Sequence, residues 1–125
     1  MAAVHNGDPV RQKLQERGAP EHIVREGGEG LVRRWRRFVE QVEKGYPLGL
    51  DDYRNELDVR TLIAFTGLDG EVSAEDARLR ALLAETAAGR SLWDSDVPGA
   101  FWVRGYPRNA RGELRDDLIS EGLAE

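Results

Sequence analysis

Four polar side chains near the middle of the chain have the types and spacing of a small catalytic or cation-binding site. They are Asp51, Arg54, Asn55 and Asp58, which project within about 100° of one another if the segment is helical. Such a group can hold a substrate or a divalent cation, so a small metal-assisted enzyme that uses the Asp51/Asp58 pair is one hypothesis. Acidic residues also stabilise the first turn of a helix, and Arg54 and Asp58 have the i,i+4 spacing of a surface ion pair. Because no histidine lies nearby in sequence to transfer protons, we favour the structural interpretation.

A second candidate lies in the glycine-rich turn of residues 67–76, which resembles half of a calcium-binding loop. If Gly70 is aligned with the glycine of such a loop, the first and third ligand positions fall on Phe65 and Gly67, which offer no side-chain oxygen. Calcium needs six or more oxygen ligands, so we expect no calcium here. We expect instead a turn with Gly70 at positive φ, followed by a helix that a capping box from Ser73 to Asp76 begins. No metal and no cofactor is predicted for this chain.

The arginine cluster Arg33–Arg37 could meet phosphate or an acidic partner. Three opposite-charge pairs with i,i+4 spacing run through the same stretch: Glu29–Arg33, Arg36–Glu40 and Glu40–Lys44. Interleaved charges of this kind are typical of a solvated helix face. A nucleic-acid-associated regulator remains an alternative, and it requires the cluster to converge in space with Arg104, Arg108 and Arg111.

The stretch from Trp93 to Arg111 is the strongest candidate for a binding surface. The run from Ala100 to Arg104 has the alternation and aromatic content of a short strand. If residues 100–106 are extended, Phe101 and Val103 face the core. The opposite face then carries the predicted partner-binding residues Trp102, Arg104, Tyr106 and Arg108. Trp, Tyr and Arg are enriched at interaction hot spots, but the aromatics of a small domain also complete its core, and both interpretations stay open.

Composition limits the remaining possibilities. The 125 residues leave room for one sizeable core, so we expect a single domain over residues 1–125, with 1–7 disordered. The absence of cysteine excludes disulfides and thiolate chemistry. A net charge of −5 makes nucleic acid an unexpected partner. Residues 1–50 carry 9 basic and 7 acidic side chains, and residues 51–125 carry 9 and 16, so the second part is strongly acidic. The sequence shows neither a signal-peptide pattern nor a membrane span, and we expect a cytoplasmic protein without membrane contact.

Apolar periodicity and helix-end signals predict a mainly α fold, a small helical bundle. Its three principal helices are expected at about 29–44, 51–65 and 73–88, packed around the second of them, which is apolar on two sides. A short N-terminal helix over 8–17 and a last one over 113–121 are also expected. The aromatic C-terminal segment adds the possible short strand.

A stretch of about thirty residues, from Leu31 to Arg60, contains the pattern W-x-x-F-V-x-x-V-x-x-G-Y followed by D-D-Y-x-N-x-L-D-x-R. In this pattern the stretch resembles a group of small bacterial proteins that have no established activity. The resemblance implies one packing unit and a bacterial cytosolic setting, and it carries over no catalytic residue. The members of that unit are Trp35, Phe38, Tyr46, Tyr53, Leu57 and Arg60.

No catalytic motif accompanies these features: the chain lacks a nucleophile elbow, a phosphate loop, a dinucleotide fingerprint and a zinc-protease motif. The sequence therefore predicts a non-enzymatic protein-binding domain, such as an adaptor, a regulator or an immunity-type inhibitor, with an unknown protein partner.

Overall fold

Helices make up two thirds of the residues that the structure describes, and a two-stranded antiparallel sheet accompanies them. The computed structural model describes residues 8–124. The α-helices are α1 (Pro9–Glu16), α2 (Glu21–Lys44), α3 (Leu50–Phe65), α4 (Ser73–Leu82) and α5 (Gly112–Ser120), and the strands are β1 (Leu83–Glu85) and β2 (Gly105–Pro107). Short 3-10 turns occupy Asp69–Val72, Ala87–Gly89 and Phe101–Val103. The predicted fold class is confirmed, whereas the expectation for residues 1–7 lies outside the described residues.

Helix α2 begins at Glu21, eight residues before its predicted start. The pair Gly27-Gly28 lies just before the predicted start, and the helix is broken at Gly27, with φ 66° and ψ −158°. Arg11 bridges this break, because its guanidinium donates hydrogen bonds to the carbonyl oxygens of Val24 and Arg25 at 3.2 and 2.9 Å. The side chain thereby satisfies acceptors that the break leaves without helical partners.

The core lies between α2 and α3. All six members of the packing unit implied by the resemblance are buried, and its four aromatic rings contact one another with centroids 5.2–5.6 Å apart. Helix α3 is covered by α2 on one side and by α5 and the 101–103 turn on the other. Helix α4 packs mainly on α2 rather than on α3. The bundle is therefore arranged around the α2–α3 pair, and not around α3 alone as expected.

The third principal helix is shorter than predicted. It ends at Leu82, and the next three residues form β1, which pairs antiparallel with β2 so that Ala84 lies opposite Tyr106. The strand predicted at 100–104 is wrong, because Phe101–Val103 is a 3-10 turn and the strand follows it. A Cβ on Gly105 would lie 2.7 Å from the Ala84 carbonyl oxygen, so this glycine permits the close approach of the two strands.

Candidate functional site

The predicted partner-binding residues do not share one exposed face. Trp102 is only 3% exposed, and its indole Nε1 donates to Thr61 Oγ1 at 3.2 Å. Because the chain turns at 101–103, side chains there no longer alternate between two faces, and the expected exposure of Trp102 is wrong. Arg104 and Arg108 are exposed and Tyr106 is half-buried. Their binding role stays a prediction, although Arg108 also donates to the Ala81 carbonyl oxygen at 3.2 Å.

Arg60 lies over the Trp102 ring, 4.5 Å from its centroid, and joins it to a buried polar network. The Arg60 guanidinium donates to both Asp76 oxygens, at 2.7–3.2 Å, and its Nη1 lies 2.8 Å from Asp69 Oδ1. Trp35 Nε1 donates to Asp76 as well, at 3.0 Å. Burial opposes the Arg60 charge, but the hydrogen bonds to Asp76 and the ion pairs with Asp76 and Asp69 outweigh it and raise the pKa of the guanidinium. This network is structural.

Asp76 thus has a different role from the one predicted for it. Instead of belonging to a capping box, it joins α4 to α2 and α3 through Trp35 and Arg60, and the Ser73 hydroxyl bonds only the Gly70 carbonyl oxygen. The glycine with positive φ in this turn is Gly67, at 77°, and not Gly70. Both corrections arise from contacts that are distant in sequence, which local turn signals do not contain.

The four polar residues of α3 do not form a common site, because Arg54 and Asp58 contact different partners. Arg54 donates to the Leu92 carbonyl oxygen at 2.8 Å and to Glu121 at 2.8 and 3.2 Å, while Asp51 is a distant partner at 3.6 Å. Asp58 accepts from Trp93 Nε1 at 2.7 Å and is not paired with Arg54. Within residues 8–124, no group of three or more His, Asp or Glu side chains is placed to hold a metal ion. The metal-assisted alternative therefore has no ligand set in the described part of the chain.

The arginine cluster lines an open groove of about 750 Å³ between α2 and the turn that follows α3. Arg36 donates to Glu75 at 3.1 Å and Arg34 pairs with Glu26 at 3.0 Å. The three predicted i,i+4 pairs are not among the ion pairs of residues 8–124. The groove wall nevertheless holds three arginines and three glutamates: Arg33, Arg36, Arg37, Glu29, Glu40 and Glu71. The formal charges that line the groove therefore balance.

A smaller open pocket, of about 390 Å³, lies on the outer side of α3. It is lined by Arg17, Asp58, Thr61, Asp94, Ser95 and Asp96. Two exposed aromatic side chains flank it: Trp93, which is 39% exposed, contacts Asp58, and Phe65, which is 40% exposed, contacts Arg17. We refer to the following residues together as the Trp93 surface: Arg17, Asp58, Phe65, Trp93, Asp94 and Asp96.

Helix α3 sets the spacing of this surface. Asp58, Thr61 and Phe65 lie at positions i, i+3 and i+7, so they follow one face of the helix. Asp58 and Phe65 are therefore about 10 Å apart along the helix axis, at 1.5 Å per residue. Residues 92–96 run beside this face, held by the buried Leu92, by the Trp93–Asp58 bond and by the contact between the Ser95 and Thr61 hydroxyls at 3.3 Å.

The pocket is acidic, because three carboxylates and one guanidinium line it. Arg17 and Asp96 form a bidentate pair at 2.9 and 3.1 Å, and hydrogen bonding to Arg17 lowers the pKa of the Asp96 carboxyl. Arg17 also lies over the Phe65 ring, 4.7 Å from its centroid. Asp94 has no ion-pair partner in the described part of the chain. Asp58 is likewise in no ion pair there, although its charge acts on Arg17, so Asp58 and Asp94 are the carboxylates of the pocket with which a cationic ligand can still pair.

Comparisons with protein-family models, with curated proteins and with solved structures find no match for this chain. No helix in residues 8–124 is both long enough and apolar enough to cross a membrane. Trp93 belongs to the stretch that the sequence singled out, but strand alternation favoured Trp102. The signal that distinguishes the two is local: Trp93 stands beside Asp94, Ser95 and Asp96, whereas Trp102 stands between Phe101 and Val103.

Proposed function

We propose that this chain is a non-enzymatic protein-binding domain whose partner docks on the Trp93 surface. One observation carries the proposal. Of the four large apolar side chains exposed in residues 8–124 (Leu48, Phe65, Trp93 and Ile119), two flank a single pocket. Tryptophan is among the residues that most often dominate binding energy at protein interfaces. Clustered exposed apolar groups with polar residues between them are typical of such interfaces.

The Trp93 ring is held in place before any partner arrives. Its Nε1 donates to Asp58, and the Arg54 guanidinium lies 5.7 Å from the ring centroid. Arg54 is itself held by Glu121 and by the Leu92 carbonyl oxygen. A side chain that is already oriented loses less conformational entropy on binding, which favours affinity. An adaptor, a regulator or an immunity-type inhibitor of a bacterial cytosol would use a surface of this kind.

The polar groups of the pocket favour binding over catalysis. Its two hydroxyls, on Thr61 and Ser95, face each other, and the described residues that line it include no histidine to activate either one. The carboxylates are engaged by Arg17 or by an indole, or lie free at the surface, rather than paired with a nucleophile. These features support a recognition role for the surface.

Photo-cross-linking tests the proposed function. A photoreactive phenylalanine analogue at position 65 samples the Trp93 surface, and the same analogue at position 48, next to the other end of α3, is the matched control. Leu48 is an exposed apolar residue like Phe65, so both positions tolerate the analogue. We expect a specific adduct in native cells from position 65 that Trp93→Ala abolishes. Equal adducts from positions 48 and 65, or an adduct unaffected by Trp93→Ala, would refute the proposal.

A further inference from the structure

We infer that the segment docking on the Trp93 surface is basic, with a lysine or arginine side chain entering the pocket between Asp58 and Asp94. This inference rests on the proposed function and names the chemistry of the partner. The alternative occupant, an acidic segment, would bring its carboxylates against three aspartates. Like charges placed opposite one another in an interface are strongly disfavoured.

The carboxylates of the pocket differ in how much charge they retain for a ligand. Asp96 is occupied by the bidentate Arg17 pair. Asp58 receives one hydrogen bond, through Oδ1, from the uncharged Trp93 indole, and Asp94 has no ion-pair partner within residues 8–124. The Asp58 charge also acts on Arg17, but neither Asp58 nor Asp94 belongs to an ion pair of residues 8–124, so both keep acceptor capacity in the same pocket. A cationic side chain is the group that satisfies both.

The aromatic rings of the surface already contact cations of the chain itself. Arg54 lies near the ring of Trp93, with its guanidinium carbon 5.7 Å from the centroid, and Arg17 lies over Phe65 at 4.7 Å. An exposed indole beside carboxylates accommodates a further lysine or arginine well, because the aliphatic stem packs on the ring while the charged end reaches the acids. The surface thus offers an apolar contact and an ionic contact to the same side chain.

The net charge of the second part of the chain has the same sign as the pocket. Residues 51–125, which include most of the Trp93 surface, carry 9 basic and 16 acidic side chains. A field of this sign accelerates the approach of a basic segment and repels an acidic one. The α2 groove provides the internal contrast, because its three arginines and three glutamates favour neither sign.

A peptide titration followed by NMR tests the inference. The probes are two synthetic 12-residue peptides with identical leucine positions, one with four arginines and the other with four glutamates at the remaining charged positions. We expect the arginine peptide to shift the Trp93 indole signal and the amide signals of residues 94–96. Its apparent dissociation constant should increase about tenfold between 50 and 300 mM NaCl, as electrostatic association requires. The glutamate peptide should leave these signals unchanged.

Two double variants with the same change of net charge distinguish binding of the arginine peptide in the pocket from its general attraction to an acidic protein. Asp58→Asn with Asp94→Asn removes the two available carboxylates, and Glu113→Gln with Asp116→Asn removes two exposed ones on α5. We expect the first variant alone to lose the binding of the arginine peptide. Equal loss in both variants, or no shift with the arginine peptide at millimolar concentration, would overturn the inference. Binding of the glutamate peptide at Trp93 would also overturn the inference of a basic partner, but the surface would still be a docking site. The cross-linked adduct from position 65 tests the proposed function separately.

Discussion

Trp93 and Trp102 lie in the same connection and have the same kinds of partner, yet one is exposed and the other is buried. Each indole Nε1 donates to an α3 side chain, Asp58 at 2.7 Å or Thr61 at 3.2 Å. Each ring also has an α3 arginine beside it, Arg54 at 5.7 Å or Arg60 at 4.5 Å. The exposed fractions are nevertheless 39% and 3%.

The acceptor on α3 explains the difference. A threonine hydroxyl can be buried at low cost when its hydrogen bonds are made, and Thr61 bonds both Trp102 and Ser95. A carboxylate is far more costly to bury unless a cation balances it, as Arg60 balances Asp76 beside the buried Trp35. Asp58 belongs to no ion pair of residues 8–124, so it stays at the surface together with its tryptophan. The buried Arg60 requires the carboxylates of Asp76 and Asp69 to balance its charge, whereas Arg54 reaches Glu121 at the surface. Whether each ring stabilises the fold or faces solvent therefore follows from its polar acceptor and from whether a buried cation balances that acceptor, rather than from the indole itself.

The largest expected effect contrasts the two rings directly. Trp102→Ala should lower the free energy of unfolding by about 4 kcal/mol, because it opens a cavity in the core. Trp93→Ala should change it by less than about 1 kcal/mol, as surface substitutions do. Urea unfolding of both variants measures the difference. Similar losses of unfolding free energy in the two variants would contradict the assignment of Trp102 to the core and of Trp93 to the surface.

The network that surrounds Trp102 gives the next largest effect. Asp76→Ala should cost about 3 kcal/mol, because it leaves the buried Arg60 guanidinium without its main partner. Asp69→Ala is the matched control, since Asp69 contacts the same guanidinium from a largely exposed position, and its loss should cost less than about 1 kcal/mol. Thermal or urea unfolding distinguishes them. If both substitutions cost less than about 1 kcal/mol, Arg60 is not held as described.

Much of the fold could be predicted from the sequence, but only for features that depend on residues close together in the chain. The burial of Trp35 and Leu57 is confirmed, because helical spacing places them on the apolar sides of α2 and α3. The same spacing placed Phe65 on an apolar side of α3, and this expectation is wrong, because Phe65 is 40% exposed. The end of α4 could not be predicted, since Ala84 pairs with Tyr106, which lies far along the chain. The same limit applies to Asp76, whose partners Trp35 and Arg60 come from other helices. Trp102 was assigned to an exposed face because its segment was taken as extended.

A smaller effect sharpens the argument about acceptors. Thr61→Val keeps the shape of the side chain but leaves the Trp102 indole N–H buried without an acceptor, and should cost about 1–2 kcal/mol. Asp58→Ala, which removes the acceptor beside Trp93, should cost less than about 0.5 kcal/mol because water can replace the lost partner at this exposed position. Chemical unfolding of the two variants under the same conditions checks this. An equal cost would show that the acceptor does not determine the role of each ring.

The most direct test of the central claim is the affinity of the Trp93→Ala variant for the protein captured from position 65, measured by calorimetry alongside its free energy of unfolding. We predict that affinity falls at least tenfold, in line with a hot spot of about 2 kcal/mol, while the free energy of unfolding changes by less than about 1 kcal/mol. Unchanged affinity in a folded Trp93→Ala variant would contradict the assignment of the Trp93 surface as the binding site.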